Sequence, residues 1–155
     1  MRRKEREVTD LQEIREFLET QEVCRVAFVD EGAPYILPLN YGYEFGEQGA
    51  LTLYIHSGKL GKKMDIVKEQ PYVGVELDGN HQLVTGKAGC NYTYKYFSLV
   101  GKGKVTLLEG EEKQAGLEKL MAHFTKEPVA FNEKMIGAVE LLKLEVTSFA
   151  CKKNA

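Results

Sequence analysis

Residues 33–44 read Ala-Pro-Tyr-Ile-Leu-Pro-Leu-Asn-Tyr-Gly-Tyr-Glu. Aromatic and β-branched residues mark this stretch as a strand, yet Pro34 and Pro38 stand inside it. Proline has no backbone N–H, so it cannot donate to a ladder. Part of this strand must therefore lie at a sheet edge, or face something other than a paired strand. That constraint fixes how the neighbouring segments can be arranged.

Val23–Val29 reads as a strand, and Asp30-Glu31-Gly32 turns it into the proline-bearing one, so the two form a hairpin. Gly46 to Gly49 makes another turn. Leu51, Leu53 and Ile55 then alternate with Thr52, Tyr54 and His56, which is the period of a third strand. Tyr72–Asp78 is a fourth, Tyr92–Leu108 a long fifth with bends at Gly101 and Gly103, and Val139–Phe149 a sixth. Gly79–Asn91 reads as irregular. Helices fall between them. Thr9-Asp10-Leu11-Gln12 has the form of a capping box opening a helix over 10–20. A second helix over 59–70 is stopped by Pro71, and a third over 111–125 carries Leu117, Leu120, Met121 and Phe124 on one face. A short helical turn follows at Phe131–Ile136. The order predicts a mainly β (α+β) protein: a six-stranded antiparallel split β-barrel with peripheral helices.

The 155 residues suit one domain, with 1–8 as a charged flexible arm and 151–155 as a tail. Twenty-one basic against 23 acidic residues give a formal charge of −2, which argues against nucleic acid as a partner. No apolar run reaches the ~18 residues of a membrane helix, and no apolar stretch follows Met-Arg-Arg-Lys to make a signal peptide. Cys24, Cys90 and Cys151 are far apart and form no CxxC, so metal ligation is not expected, and reduced thiols fit a cytoplasmic protein.

The chemistry concentrates in Tyr54-Ile55-His56-Ser57-Gly58-Lys59-Leu60-Gly61-Lys62-Lys63. A strand ends there and a helix begins. Free amides and the partial positive charge of a helix N-terminus favour an anion, two glycines let backbone approach it, and Lys59, Lys62 and Lys63 add cations. These features make a phosphate cradle. The plainer reading is a solvated basic turn with Ser57 as N-cap. His56 faces away from the Leu51/Leu53/Ile55 stripe, as a proton donor or simply an exposed strand histidine. His81 falls in the irregular loop, and His123 on the third helix reads as solvated. Tyr92, Tyr94 and Tyr96 share a strand face and line an aromatic pocket or cover a subunit contact. GxSxG, Walker A and GxGxxG patterns are absent, so hydrolase, P-loop and Rossmann readings have no support.

Taken in order, the start Met-Arg-Arg, Pro34 to Tyr43, His56-Ser57 with Gly61-Lys62-Lys63, Pro71-Tyr72-Val73, and Cys90 with Tyr96-Phe97-Ser98-Leu99-Val100-Gly101 resemble one family. It is the pyridoxamine 5′-phosphate oxidase-like, FMN-binding split β-barrel superfamily, and within it the nitroimidazole-resistance group. The resemblance spans roughly residues 1–150.

That resemblance implies a homodimer with FMN bound at the subunit interface. Leu37, Pro38, Leu39, Asn40 and Tyr41 then run along the flavin ring, partly through backbone. Ile55, His56 and Ser57 border the ring and its ribityl chain. Gly61, Lys62 and Lys63 hold the phosphate, and Ser98 approaches from across the barrel. Phe97 stands where relatives commonly carry arginine. The sequence has no tryptophan, and the groups that hold pyridoxal phosphate in the true oxidases have no counterpart. The expected function is FMN-dependent reduction of a small electron-poor substrate such as a nitroaromatic, with His56 as catalytic proton donor and NAD(P)H as the electron source. The alternatives are a flavin carrier or sensor without turnover, and a haem-binding split barrel.

Overall fold

The structure, a computed structural model, describes residues 3–155. Its strands are β1 (Glu7–Val8), β2 (Val23–Asp30), β3 (Ala33–Asn40), β4 (Gly42–Phe45), β5 (Leu51–Ser57), β6 (Tyr72–Val84), β7 (Thr93–Leu108) and β8 (Glu140–Asn154). Its helices are α1 (Leu11–Thr20), α2 (Lys62–Glu69), α3 (Gly110–Phe124) and α4 (Glu133–Ala138). The strands form one antiparallel sheet in the order β3-β2-β6-β7-β8-β5-β4, with β1 also paired to β8. The fold is mainly β, and eight strands replace the six expected.

The prolines account for the sheet's limit. Among the described residues β3 pairs only with β2, with Pro34 opposite Val29 and Pro38 opposite Arg25. Its other edge takes no strand, so the missing N–H groups cost no ladder bonds. The sheet curls until β3 lies against β5 without pairing to it. Inside the curl, Phe17 and Leu18 of α1 meet Val26, Phe28, Leu53, Ile55, Leu77, Leu99 and Leu144, all buried. Fully burying each such Leu, Ile or Phe is worth about 1.5–3 kcal/mol. A smaller cluster of Tyr54, Leu108, Leu117 and Leu141 lies on the other face of β5 and β8, beneath α3.

Several local expectations shift for identifiable reasons. The cap of α1 is Asp10, one residue later than Thr9; its carboxylate accepts from the amides of Gln12 and Glu13 at 2.8 and 3.0 Å. The strand expected over 33–44 breaks at Tyr41, whose fully buried ring donates its hydroxyl to the Leu18 carbonyl at 2.7 Å. The next residue must be glycine. A Cβ on Gly42 would lie 2.4 Å from the Leu120 Cα, because α3 crosses β4 backbone to backbone. β6 runs on to Val84 through a bulge between Gly79 and Gln82, so half of the expected irregular segment is paired strand. β8 continues past Phe149 to Asn154, since each added residue finds a partner on β7. The expected tail is thus anchored, with Cys151 buried and level with Val8 of β1. Val8 is buried too, so the N-terminal arm is tied down at that end.

Candidate functional site

The segment after β5 is the first part of the site. α2 starts at Lys62, three residues later than expected, and its N-cap is Gly61 at φ 128, ψ 161. Only glycine adopts that conformation readily. Open space faces the position of its missing Cβ. The Gly61 carbonyl accepts from Met64 and Asp65 at 3.0 and 3.3 Å, and no side chain caps the helix. The amides of Lys62 and Lys63 are therefore available to an anion. Ser57 is not the cap: it is buried, and its hydroxyl donates to the Gly58 carbonyl at 3.0 Å.

The two lysines differ in environment. Lys62 sits 2.5 Å from the Asp30 carboxylate at the β2–β3 turn and 5.2 Å from the centre of the Tyr35 ring. The hydrogen bond and charge of Asp30 raise its pKa. Lys63 is half-buried, makes no ion pair among the described residues, and burial alone lowers its pKa. A desolvated ammonium without a carboxylate is the stronger of the two as an anion ligand.

The second part is a pocket of about 520 Å³ at the same end of β5. His56 and Asn40 form its sheet side, and Leu117, Leu120, Met121 and Phe124 of α3 face them. Phe131 and the α4 segment close the far side. Asn40 donates its amide to the Glu22 carbonyl at 3.0 Å. His56 is exposed beside Tyr54, which α3 covers and whose hydroxyl donates to Glu44 at 3.0 Å.

Among the expected site residues, Asn40 and His56 share this pocket, while Gly61, Lys62 and Lys63 share the turn. Pro38 is exposed on β3, the strand at the edge of the sheet. Leu37 and Leu39 are half-buried against the core. Ile55 and Tyr41 are core residues, which leaves only their backbone to a ligand. Ser98 is elsewhere: it is level with Lys152 on β8, whereas His56 is level with Leu141 at the opposite end of that strand. Phe97 is buried and stacks on Phe17 at 4.2 Å, so its role is packing.

Sequence reasoning assigned α3's apolar stripe to the core and missed that part of it walls a pocket. Helical period shows which residues share a face but not whether all of that face is covered. His123, expected in solvent, is half-buried. Its Nε2–H donates to the Gln21 carbonyl at 2.6 Å, and its ring lies 4.9 Å from that of Tyr41. His81 lies on β6 with its Nε2 2.9 Å from Asp78. Tyr94 stands exposed beside it instead of lining a pocket.

A curled antiparallel sheet with an open basic turn and an apolar pocket at one strand end defines a small, mainly β protein. The chain belongs to the pyridoxamine 5′-phosphate oxidase family, which it matches over residues 10–153. It is similar to a candidate 5-nitroimidazole antibiotic resistance protein from Bacteroides thetaiotaomicron, with 31% identity, TM-score 0.83, and coverage of 95% of this chain and 86% of that one. The fold is shared with the FAD and haem binding protein of Mycobacterium smegmatis, at 21% identity, TM-score 0.83, and 96% and 73% coverage. It is also shared with the flavocytochrome Anf3 of Azotobacter vinelandii, at 17% identity, TM-score 0.78, and 96% and 69% coverage. No curated protein matches the sequence. Among the described residues no helix is long and apolar enough to cross a membrane.

Proposed function

We propose that this protein is an FMN-dependent oxidoreductase that reduces a small electron-poor substrate of the nitroaromatic type, with NAD(P)H as electron donor. The observation that carries the reading is the Gly61–Lys63 turn: two uncapped amides, a left-handed glycine with open space above it, and a half-buried lysine without a counter-ion among the described residues. These groups fit a phosphate monoester, whose charge would restore the favourable state of the Lys63 ammonium. FMN, when bound, supplies the hydride and electron chemistry.

The chain's own residues supply the remainder. The turn fixes one end of the cofactor. The unpaired edge of β3, with Pro38 offering no N–H, gives the flat ring a surface that requires no ladder partner. Asn40 and His56 lie beside that edge, where the amide orients polar ring atoms and an imidazole nitrogen of His56 donates a proton to the substrate. The α3 side of the pocket limits water around the ring. In this reading the curled sheet is a six-stranded split barrel with β1 and β4 as short additions, and the working unit is a cytoplasmic homodimer. Within one chain Ser98 and His56 are level with opposite ends of β8, so Ser98 reaches a flavin beside His56 only from a second copy.

The absorption spectrum of the purified protein, followed by titration of the flavin-free form, tests the reading. Flavin bands and FMN binding at least tenfold tighter than riboflavin are expected. Equal binding of the two, or a Soret band in place of flavin bands, overturns it.

A further inference from the structure

Beside the basic Gly61–Lys63 turn lies a cleft of the opposite charge. Asp30 and Glu31 at the β2–β3 turn line one side of it, and Lys62, Asp65 and Glu69 of α2 line the other. Among the described residues that form it, Lys62 is the sole cation, and Asp30 already holds its ammonium at 2.5 Å. Glu31, Asp65 and Glu69 have no ion-pair partner among the described residues. Nor do the described residues include a group of three acidic or histidine side chains placed to hold a metal ion. The hydrogen bond and charge of Asp30 raise the Lys62 pKa, and the charge of Glu31 adds to them. The acidic wall therefore acts on the turn itself.

Glu31 occupies its place at a conformational cost. Asp30 pairs with Ala33, so Glu31 and Gly32 make a two-residue hairpin turn, with φ 49 and 81. A turn of this kind needs left-handed backbone at both positions and favours Asn-Gly. A glutamate in that conformation is strained, and a strained residue that is kept points to a use for its side chain.

β3 shows which part of a bound flavin meets this wall. Asn40, at one end of the strand, shares a pocket with His56. Tyr35, five residues back and about 17 Å away along an extended strand, carries the Lys62 ammonium 5.2 Å from its ring centre. A flavin ring followed by its ribityl phosphate is of similar length. Any group attached beyond the phosphate is thus directed toward Ala33, the β2–β3 turn and the acidic cleft. A terminal phosphate monoester puts about two negative charges on the basic turn near neutral pH. A diphosphate ester divides the same charge, one part on the turn and one part in the cleft, where carboxylates repel it.

We propose that Asp30, Glu31, Asp65 and Glu69 make the turn selective for a terminal phosphate monoester over an extended diphosphate, so that the mononucleotide FMN is accepted and the dinucleotide FAD refused. The inference rests on the flavin reading and names the residues that set the cofactor's length.

The test titrates the flavin-free chain with FMN, FAD and riboflavin by calorimetry. At about 20 mM salt, where exposed charges are poorly screened, FMN is expected to bind at least about tenfold tighter than FAD. Raising the salt to about 1 M should shrink that preference in the parent protein. Glu31→Asn/Glu69→Gln leaves Asp30, Lys62 and Lys63 in place. It should tighten FAD by roughly three- to tenfold at low salt and change FMN less. Glu31→Asn alone should melt at or above the parental temperature, because asparagine tolerates the left-handed backbone. FAD binding as tightly as FMN overturns the proposal. So does a preference that survives both high salt and the double substitution, which would make the discrimination steric. A lower melting temperature in Glu31→Asn would show that Glu31 serves the fold, and overturns it too. Absence of binding by any of the three flavins sinks the flavin reading itself, whereas flavin binding without the preference sinks only the selectivity.

Discussion

The ammonium of Lys62 is already held by Asp30, whereas that of Lys63 is partly desolvated and has no such partner among the described residues. The two lysines should therefore not be equivalent. Lys63→Met is expected to weaken FMN by about ten- to a hundredfold, the loss of one charge-assisted contact, and to leave riboflavin unaffected. Lys62→Met should cost less than a third as much on a logarithmic scale. Isothermal titration with both flavins decides it, and equal losses would show that Asp30 does not hold Lys62 back. Burial also couples Lys63 to stability. Its folded pKa lies below the ordinary 10.5, so between the two values the unfolded chain keeps a proton that the folded chain releases. Stability of the flavin-free protein should then rise with pH across that window, and the rise should shrink in Lys63→Met. Urea midpoints from pH 7 to 10.5 measure it. His56 is expected to matter for turnover. His56→Ala should slow substrate reduction roughly 10²–10⁴-fold, the span of general acid catalysis, with flavin content unchanged. A parental single-turnover rate would remove its role as donor. Burial pushes the thiols of Cys24 and Cys151 up to about 12, while Cys90 is exposed. Iodoacetamide at pH 8 should thus modify one thiol per folded chain, and mass spectrometry should find it at Cys90.

At the scale of elements, position depends on two glycines for different reasons. Gly61 holds a backbone conformation that costs other residues about 1–3 kcal/mol, and its substitution by alanine should either lose that stability or re-aim the first turn of α2. FMN affinity falls in both cases. Gly42 has an ordinary backbone but no room, since α3 lies against it. Gly42→Ala should cost about 1–3 kcal/mol by overpacking and lift α3 from β4, which enlarges the pocket beneath it. A denaturation midpoint within error of the parent would show that α3 docks elsewhere. The hairpin, the alternating β5 stripe, the body of α1 and the stop of α2 before Pro71 were readable because period, turn residues and Pro or Gly punctuation act within a few residues. The extensions of β6 and β8 were not. Gln82 and residues 152–154 are polar, and they are strands because β7 offers them partners.

For the whole molecule, one curled sheet leaves an open edge at β3 and sets Ser98 level with the far end of β8 from His56. A flavin site that uses both needs two copies, so light scattering after size exclusion should give about twice 17.5 kDa. A monomer that retains FMN would confine the site to one chain.

The sequence by itself determined the mainly β character, the lack of a ladder partner along part of the proline-bearing strand and the basic turn at the start of α2. Each follows from local chemistry: side-chain period, a missing N–H, and glycine beside lysine. Tertiary structure alone decided that Asp30 engages Lys62 and not Lys63, that Tyr41 turns inward while Asn40 turns outward, and that α3 walls a pocket as well as covering a core. Those outcomes depend on which distant surfaces meet, and no window of neighbouring residues records the distance between β2 and α2 or the width left between α3 and the sheet.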